Sequence, residues 1–388
     1  MNILYYTQES GGGLLAYVQD QAHALGELGA NVTVLCNPEF IKREGDQYSL
    51  MTRLVAPSSK PELSKLSRIL RFANWQFSNK RELYREAATR KYDAVFLSSY
   101  AEYLAPLWAP WFKALQRKGI VFGAMVQEPV RSFVVGPRWW HNWSVREAYS
   151  YLSCVFTHEE LTLDRSGAKN TVIHRVVPMA PHRFPDPKKG RNEVRRELNI
   201  PEEAPLLFSF GLVRDSKNID YSIHLLREIP DAYLLVAGKR NAGGQKPESH
   251  YIELAKHLGV QDRCRWKFEF IPEQEAADFF EASDLVMLTY SKDFRSASAA
   301  LNVAARYRRQ VIASAGQGSL QSVVRKYRLG KWVEPGDPAA VVTAVKSWLS
   351  ERPDADWEAY ERENSWKRNA TTVLETLRSV CCPQAVEA

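Results

Sequence analysis

The stretch FGLVRDSKN sets two cations, Arg214 and Lys217, just past a short apolar run. Long cations in such a loop clamp a diphosphate through charge-assisted hydrogen bonds, the neutralising task that a metal performs elsewhere. The spacing fits two solvated loop cations equally well. A second cationic region runs from Phe294 to Trp332. It has no carboxylate but carries Arg295, Arg306, Arg308, Arg309, Arg325, Lys326, Arg328 and Lys331. Within it, RSASAALNV reads as a helix start with Ser296, Ala297, Ser298 and Ala299 at its mouth. Small side chains admit a ligand there, and first-turn N–H groups favour phosphate. The absence of acids suits an anion. The alternative is a tightly packed helix whose C-terminus is completed by the arginines at 306–309.

Carboxylates that could act as a general base are Glu9, in ESGGGLL, and Glu128, in VQEPV. Both follow strand-like runs, at whose ends a base could meet a ligand, and both also read as surface acids. Gly11, Gly12 and Gly13 form a loop that lets a substrate approach the backbone beside Gln8 and Glu9. The order is not G-x-G-x-x-G, so a dinucleotide fingerprint is excluded. His158, in FTHEE, reads as structural. Asp354 and Asp356 form an Asp-x-Asp that a helix N-cap explains.

These side chains need strands that end beside them. NILYYT, a glycine loop, the helix LLAYVQDQAHALGELG and NVTVLC make a strand–loop–helix–strand unit. The grammar returns at PLLFSFG, LVRDSKN, IDYSIHLLREI and AYLLVAG. YDAVFLS, GIVFGAMV, YLSCVFTH, NTVIHRVV, RCRWKFEF and DLVMLTY read as further strands. Alternation of this kind predicts parallel sheets covered on both faces, hence an α/β chain with two Rossmann-like domains. The Pro- and charge-rich segment 178–193 marks the boundary. The expected division is 1–182, 183–352 and a C-terminal helix and tail at 353–388.

A chain of 388 residues is long for one core, and its net charge of +7 favours phosphate-bearing or anionic partners. Five scattered cysteines without C-x-x-C signal neither zinc nor a disulfide framework. No signal peptide or spanning run is read, so a cytoplasmic protein is expected. Nucleic-acid binding lacks a stacking or helix-turn-helix signature. Residues 60–91 interleave cations with Leu66, Ile69, Leu70, Phe72, Trp75 and Phe77, and PRWWHNW adds tryptophans. That pattern reads either as a core-facing helix with snorkelling cations or as a contact with the inner face of a membrane.

Together LLFSFGLVRDSKNID, YLLVAGK, FIPEQEAADFFEASDLVMLTYS, NVAARYRRQVIAS and WVEPGDPAAVVTAV resemble the large family of retaining, group 1, glycosyltransferases with the GT-B fold. The resemblance is specific from about residue 204 to 348 and looser before. It implies two Rossmann-like domains facing across a cleft, with a C-terminal helix packing back on the first. It implies transfer of a sugar from a nucleoside diphosphate without a metal or other cofactor. Gly211, Arg214 and Lys217 would grip the diphosphate, Ser296, Ser298 and Ala299 would hold a phosphate, and Phe270 and Ile271 would line the base pocket. The partners implied are a nucleotide sugar and an envelope glycan, lipid-linked or small-molecule acceptor. The family's Glu-x7-Glu falls on Arg295 and Val303, so Asp293 is the acid left to substitute for the first. Gln127 stands at the family's N-domain histidine, and Arg308, Arg309 and Gln310 replace Gly-x-Pro. A catalytically inactive sugar-nucleotide binder or scaffold is the alternative those departures raise, and phosphoryl transfer on a similar fold is a minor variant.

Overall fold

The computed structural model describes residues 1–57, 64–98, 100, 102–127, 134, 136–240 and 245–382. The chain divides into two compact units, Met1–Met179 with Ser365–Ala388, and Ala180–Asn364. The first unit runs β1 (Asn2–Tyr6), α1 (Gly12–Glu27), β2 (Asn31–Cys36), β3 (Ser49–Thr52), α2 (Lys65–Ala87), β4 (Ala94–Leu97), α3 (Ala109–Gln116), β5 (Val121–Met125), α4 (Arg138–Tyr149), β6 (Cys154–Thr157) and β7 (Ile173–Val176). Its strands pair in parallel in the order β3-β2-β1-β4-β5-β6-β7. β4, β5 and β6 are buried at every position, which is why AVFL, VFGAM and CVFT are unbroken apolar runs rather than alternating ones.

The second unit holds α5 (Arg191–Glu197), β8 (Leu206–Phe210), α6 (Ile219–Glu228), β9 (Tyr233–Ala237), α7 (Glu248–His257), β10 (Cys264–Lys267), α8 (Glu273–Ala282), β11 (Leu285–Thr289), α9 (Ala299–Arg306), β12 (Val311–Ser314), α10 (Ser319–Lys326), β13 (Gly330–Trp332), α11 (Pro338–Ser350) and α12 (Trp357–Glu363). Its parallel order is β10-β9-β8-β11-β12-β13.

Three local expectations are corrected. The segment 352–380 is two helices, α12 and α13 (Trp366–Cys381), because Ser365 opens a new cap that accepts from Arg368 N. α12 belongs to the second unit and α13 to the first, where Ala370, Val373, Leu374 and Leu377 share a core with Tyr17, Val18 and Leu25 of α1. A buried polar chain fixes this helix: Tyr5 Oη donates to Gln21 (2.6 Å), Gln21 donates to Asn369 (2.7 Å), and Asn369 donates to Pro178 O (2.8 Å). Second, α1 begins at Gly12, so Gly12 and Gly13 form its first turn rather than a loop. Third, β10 stops at Lys267, so Phe270 lies in a loop.

The leading half of α2 does not face the core. Leu66, Ile69 and Leu70 are 65%, 53% and 61% exposed, whereas Leu83 and Ala87 near its end are buried. Lys80, on the same helix, is buried with its Nζ 4.2 Å from the Tyr6 ring centre and 5.9 Å from that of Trp108. Burial pulls its pKa down to about 7. The folded state therefore binds fewer protons than the unfolded chain from about pH 7 up to the ordinary lysine range, so this group's contribution to stability rises with pH through that window. Lys80→Met keeps the packed stem and removes the buried amine. Stability at pH 7 should rise by roughly 1–3 kcal/mol, and the gain should shrink at pH 9; urea melts at the two pH values check both.

Candidate functional site

In the second sheet the strand order reverses between β8 and β11, so the loops leaving their carboxyl ends diverge and open a crevice, the usual ligand position in such sheets. The loop after β8 carries Gly211, Arg214 and Lys217, and that after β11 runs from Tyr290 to Ser298. The two loops are tied together. Ser291 N donates to Ser216 O (2.8 Å), Asn218 Nδ2 donates to Thr289 O (3.0 Å), and Thr289 Oγ1 donates to Lys217 O (3.0 Å).

Lys217 is buried and its Nζ donates to Phe210 O. Burial, and next the charge of Arg214, bring its pKa down to about 7. The Nε of Arg214 is buried with no hydrogen-bond partner among the described residues. The same guanidinium acts on Tyr290, whose hydroxyl is raised above its ordinary range mainly by burial. Tyr290 Oη bonds Ser298 Oγ at 3.0 Å, and its ring stacks on Phe294 with centroids 4.0 Å apart. Ser298 is the N-cap of α9 and accepts from Leu301 N. That leaves the N–H groups of Ala299 and Ala300 in the first turn, where an α-helix supplies no internal acceptor.

Glycines let these segments approach. Gly211 has φ +90°, and a Cβ on Gly238, at φ +151°, would lie 2.2 Å from Gly211 O. A Cβ on Gly316 would lie 2.1 Å from Lys292 O, and one on Gly318 would lie 2.8 Å from Arg295 O. Gly316 N also donates to Phe294 O at 2.9 Å, so the Lys292–Arg295 backbone is pressed onto the turn after β12. Tyr290, Phe294, Gly238, Gly316 and Gly318 were absent from the candidates read in the sequence. For Tyr290, Gly238 and Gly316 the signal was a tyrosine or glycine at the end of an apolar run; Phe294 and Gly318 carried none.

The other candidates differ in exposure. Asp293 and Arg295 are exposed, while Ser296 and Ala299 are half-buried. Val303 is buried in the core, and so is Ile271, whereas Phe270 is 65% exposed. Arg308 has φ +50°, the left-handed conformation in which a glycine is unstrained, and Glu358 (2.8 Å) and Glu361 (3.1 Å) hold its guanidinium. The cations of the acid-free stretch are mostly committed elsewhere. Arg306 pairs with Asp186, Arg309 with Glu281, Arg325 with Glu334 and Lys326 with Glu363, while Arg328 donates to Asp354 O.

The first sheet reverses order between β1 and β4, and beyond the ends of these strands lies a cavity of about 460 Å³. Glu9, Gln8, Gly11, Trp75, Gln76 and Tyr100 are among its walls. Gly12 and Gly13 do not line it. Glu128 lies outside the described residues. His158 bridges Val177 O (3.0 Å) and Gln127 Oε1 (3.1 Å), a structural arrangement at the ends of β5 and β6. Asp356 caps α12 by accepting from Ala359 N at 3.0 Å.

Residues 190–373 match the family described as glycosyl transferases group 1. A D-inositol 3-phosphate glycosyltransferase of Streptomyces scabiei is 28% identical over 221 residues, covering 53% of this chain and 48% of the relative. The chain thus spans about half the length of the curated relatives it matches. Sucrose-phosphate synthase from Thermosynechococcus elongatus superposes with a TM-score of 0.72 at 17% identity, covering 99% of this chain and 100% of that one. HepE of Anabaena, in its complex with UDP-glucose, superposes with a TM-score of 0.66 at 13% identity, covering 98% and 100%. The match to the glycosyl transferases group 1 family thus covers residues 190–373, and the two parallel α/β units share the GT-B fold of those solved structures.

Proposed function

We propose that this chain transfers a glycosyl group from a nucleoside diphosphate sugar to an acceptor, with Arg214, Lys217 and the first turn of α9 replacing a metal. The observation that carries this is the tying of the Arg214–Lys217 loop to the Tyr290–Ser298 loop at the switch point of one sheet. Breaking a glycosidic phosphoester leaves charge on the departing diphosphate. Cations and N–H dipoles already fixed there stabilise that charge without reorganising. The UDP-glucose bound to HepE supports a sugar nucleotide as the donor class. Ser298 holds the helix mouth in shape through its bonds to Leu301 N and Tyr290, so its part is positional.

The acceptor enters the cavity of the first unit, where aromatic walls suit a sugar ring and Glu9 is the carboxylate at hand to take a proton. An envelope glycan, a glycolipid or a natural product fits that description. A lipid-linked acceptor is favoured by the apolar residues exposed on α2 and by Trp139, 66% exposed, on α4. No described helix is long and apolar enough to cross a membrane, so such contact would be peripheral. Flotation with vesicles containing anionic lipid should then carry the protein upward; failure to float with or without anionic lipid removes this acceptor class.

Thermal-shift screening of UDP, GDP, dTDP and ADP sugars, followed by an assay for nucleoside diphosphate release, tests the activity. Stabilisation by one donor and its turnover are expected. Stabilisation without turnover in the presence of candidate acceptors would argue against transfer.

A further inference from the structure

The cationic stretch from Phe294 to Trp332 has one exposed arginine that its neighbours leave uncommitted. Arg306, Arg308, Arg309, Arg325 and Lys326 are paired to carboxylates, and Arg328 to a carbonyl. Arg295 has no hydrogen-bond or ion-pair partner among the described residues, and neither does the exposed Lys292 on the same turn. Lys331, the remaining cation, sits half-buried in β13.

The backbone beneath Arg295 is not free to wander. Phe294 is stacked on Tyr290, its carbonyl accepts from Gly316 N, and the Lys292 and Arg295 carbonyls are packed against two glycines that admit no Cβ. Three residues on, Ser298 caps the helix whose first turn faces the proposed diphosphate site. A cation presented on a fixed turn gives up less entropy in binding than one on a loose loop.

Its chemistry narrows what it meets. Guanidinium has five donors and no acceptor, and its fork matches a carboxylate in two parallel hydrogen bonds. A neutral sugar hydroxyl can accept from guanidinium, but only an anionic group uses its charge and its paired donors together, and along this turn the acidic side chain is Asp293 alone. The diphosphate already has Arg214 and Lys217. We propose that Arg295 selects a donor whose sugar carries a carboxylate, that is, a nucleoside diphosphate glycuronate rather than its neutral parent. The inference rests on the donor-site reading above.

The test compares donors that differ only at the sugar's sixth carbon: UDP-glucuronate with UDP-glucose, UDP-galacturonate with UDP-galactose, and GDP-mannuronate with GDP-mannose. UDP and GDP alone serve as references. In the full-length protein, calorimetry should show one acidic donor binding about 10- to 100-fold more tightly than its neutral parent. Arg295→Ala should erase that preference while leaving affinity for the bare nucleoside diphosphate unchanged. Arg295→Glu should reverse the preference. Arg295 is exposed, so these variants should fold, and melting curves verify it. Binding of UDP or GDP with no preference for any acidic donor overturns this proposal alone. An equal loss of bare diphosphate affinity in Arg295→Ala also overturns it, since the residue then belongs to the clamp. Failure of every nucleotide to bind overturns the donor-site reading and this proposal together.

Discussion

Lys217→Ala should weaken binding of the nucleotide-sugar donor by roughly 1.5–3 kcal/mol, the usual worth of a hydrogen bond to a charged group. The wild-type affinity should also depend on pH in a way the variant does not share. In the unliganded protein the amine is brought down to about 7, first by burial and then by the charge of Arg214. A diphosphate favours the charged amine, so ligand binding draws a proton onto it above that value. Affinity is therefore greatest below about pH 7. It falls as pH rises, approaching tenfold per unit until the pKa of the bound state is reached. A sugar nucleotide is the proper probe because its diphosphate is a diester and does not titrate in this range. Calorimetry at pH 6, 7, 8 and 9 reads the effect. Parallel profiles for wild type and Lys217→Ala would show that the amine does not meet the ligand.

Arg195→Met should be the most damaging single change to the second unit. Arg195 is fully buried in α5; its guanidinium donates to Ala204 O (2.7 Å), Ala282 O (3.0 Å) and Asp284 Oδ2 (2.7 Å). Asp284 in turn accepts from Leu206 N (2.8 Å) at the start of β8 and pairs with Arg191 at 2.7 Å. The methionine leaves several buried acceptors without a donor, and Asp284 with only the more exposed Arg191 as a cation. Breaking one side of such a buried pair costs about 3–5 kcal/mol. Urea melts should show the loss, and Asp284→Asn, which keeps the shape, should be milder. A change within 1 kcal/mol in Arg195→Met would mean the network adds nothing net.

The sheets were legible because parallel strands buried on both faces appear as unbroken apolar runs. LLFSF, YLLVA and LVMLT are nearly as visible in the sequence as in the structure. Element ends were less legible. The break at Asn364 is set by the cap at Ser365 and by the return of α13 to the first core, and an amphipathic pattern that merely continues does not show it. In α2 the pattern allowed either a core-facing helix or a membrane contact, and its leading apolar residues are exposed, because periodicity says which residues share a face and not what covers that face.

The candidate site divides along the same line. Arg214, Lys217 and Ser298 could be named from sequence because each lies directly after a strand or at a helix start, where local backbone geometry dictates what is presented. The burial of Lys217, the stacking of Phe294 on Tyr290 and the close approaches at Gly238 and Gly316 arise only when separate loops meet. The acid-free run of cations shows the distinction most directly. Its charges are local facts of the sequence. Their compensation by Asp186, Glu281, Glu334, Glu358, Glu361 and Glu363, and the lack of a partner for Arg295 among the described residues, depend on which distant segments the fold brings within a few ångströms, the range over which a charge is neutralised.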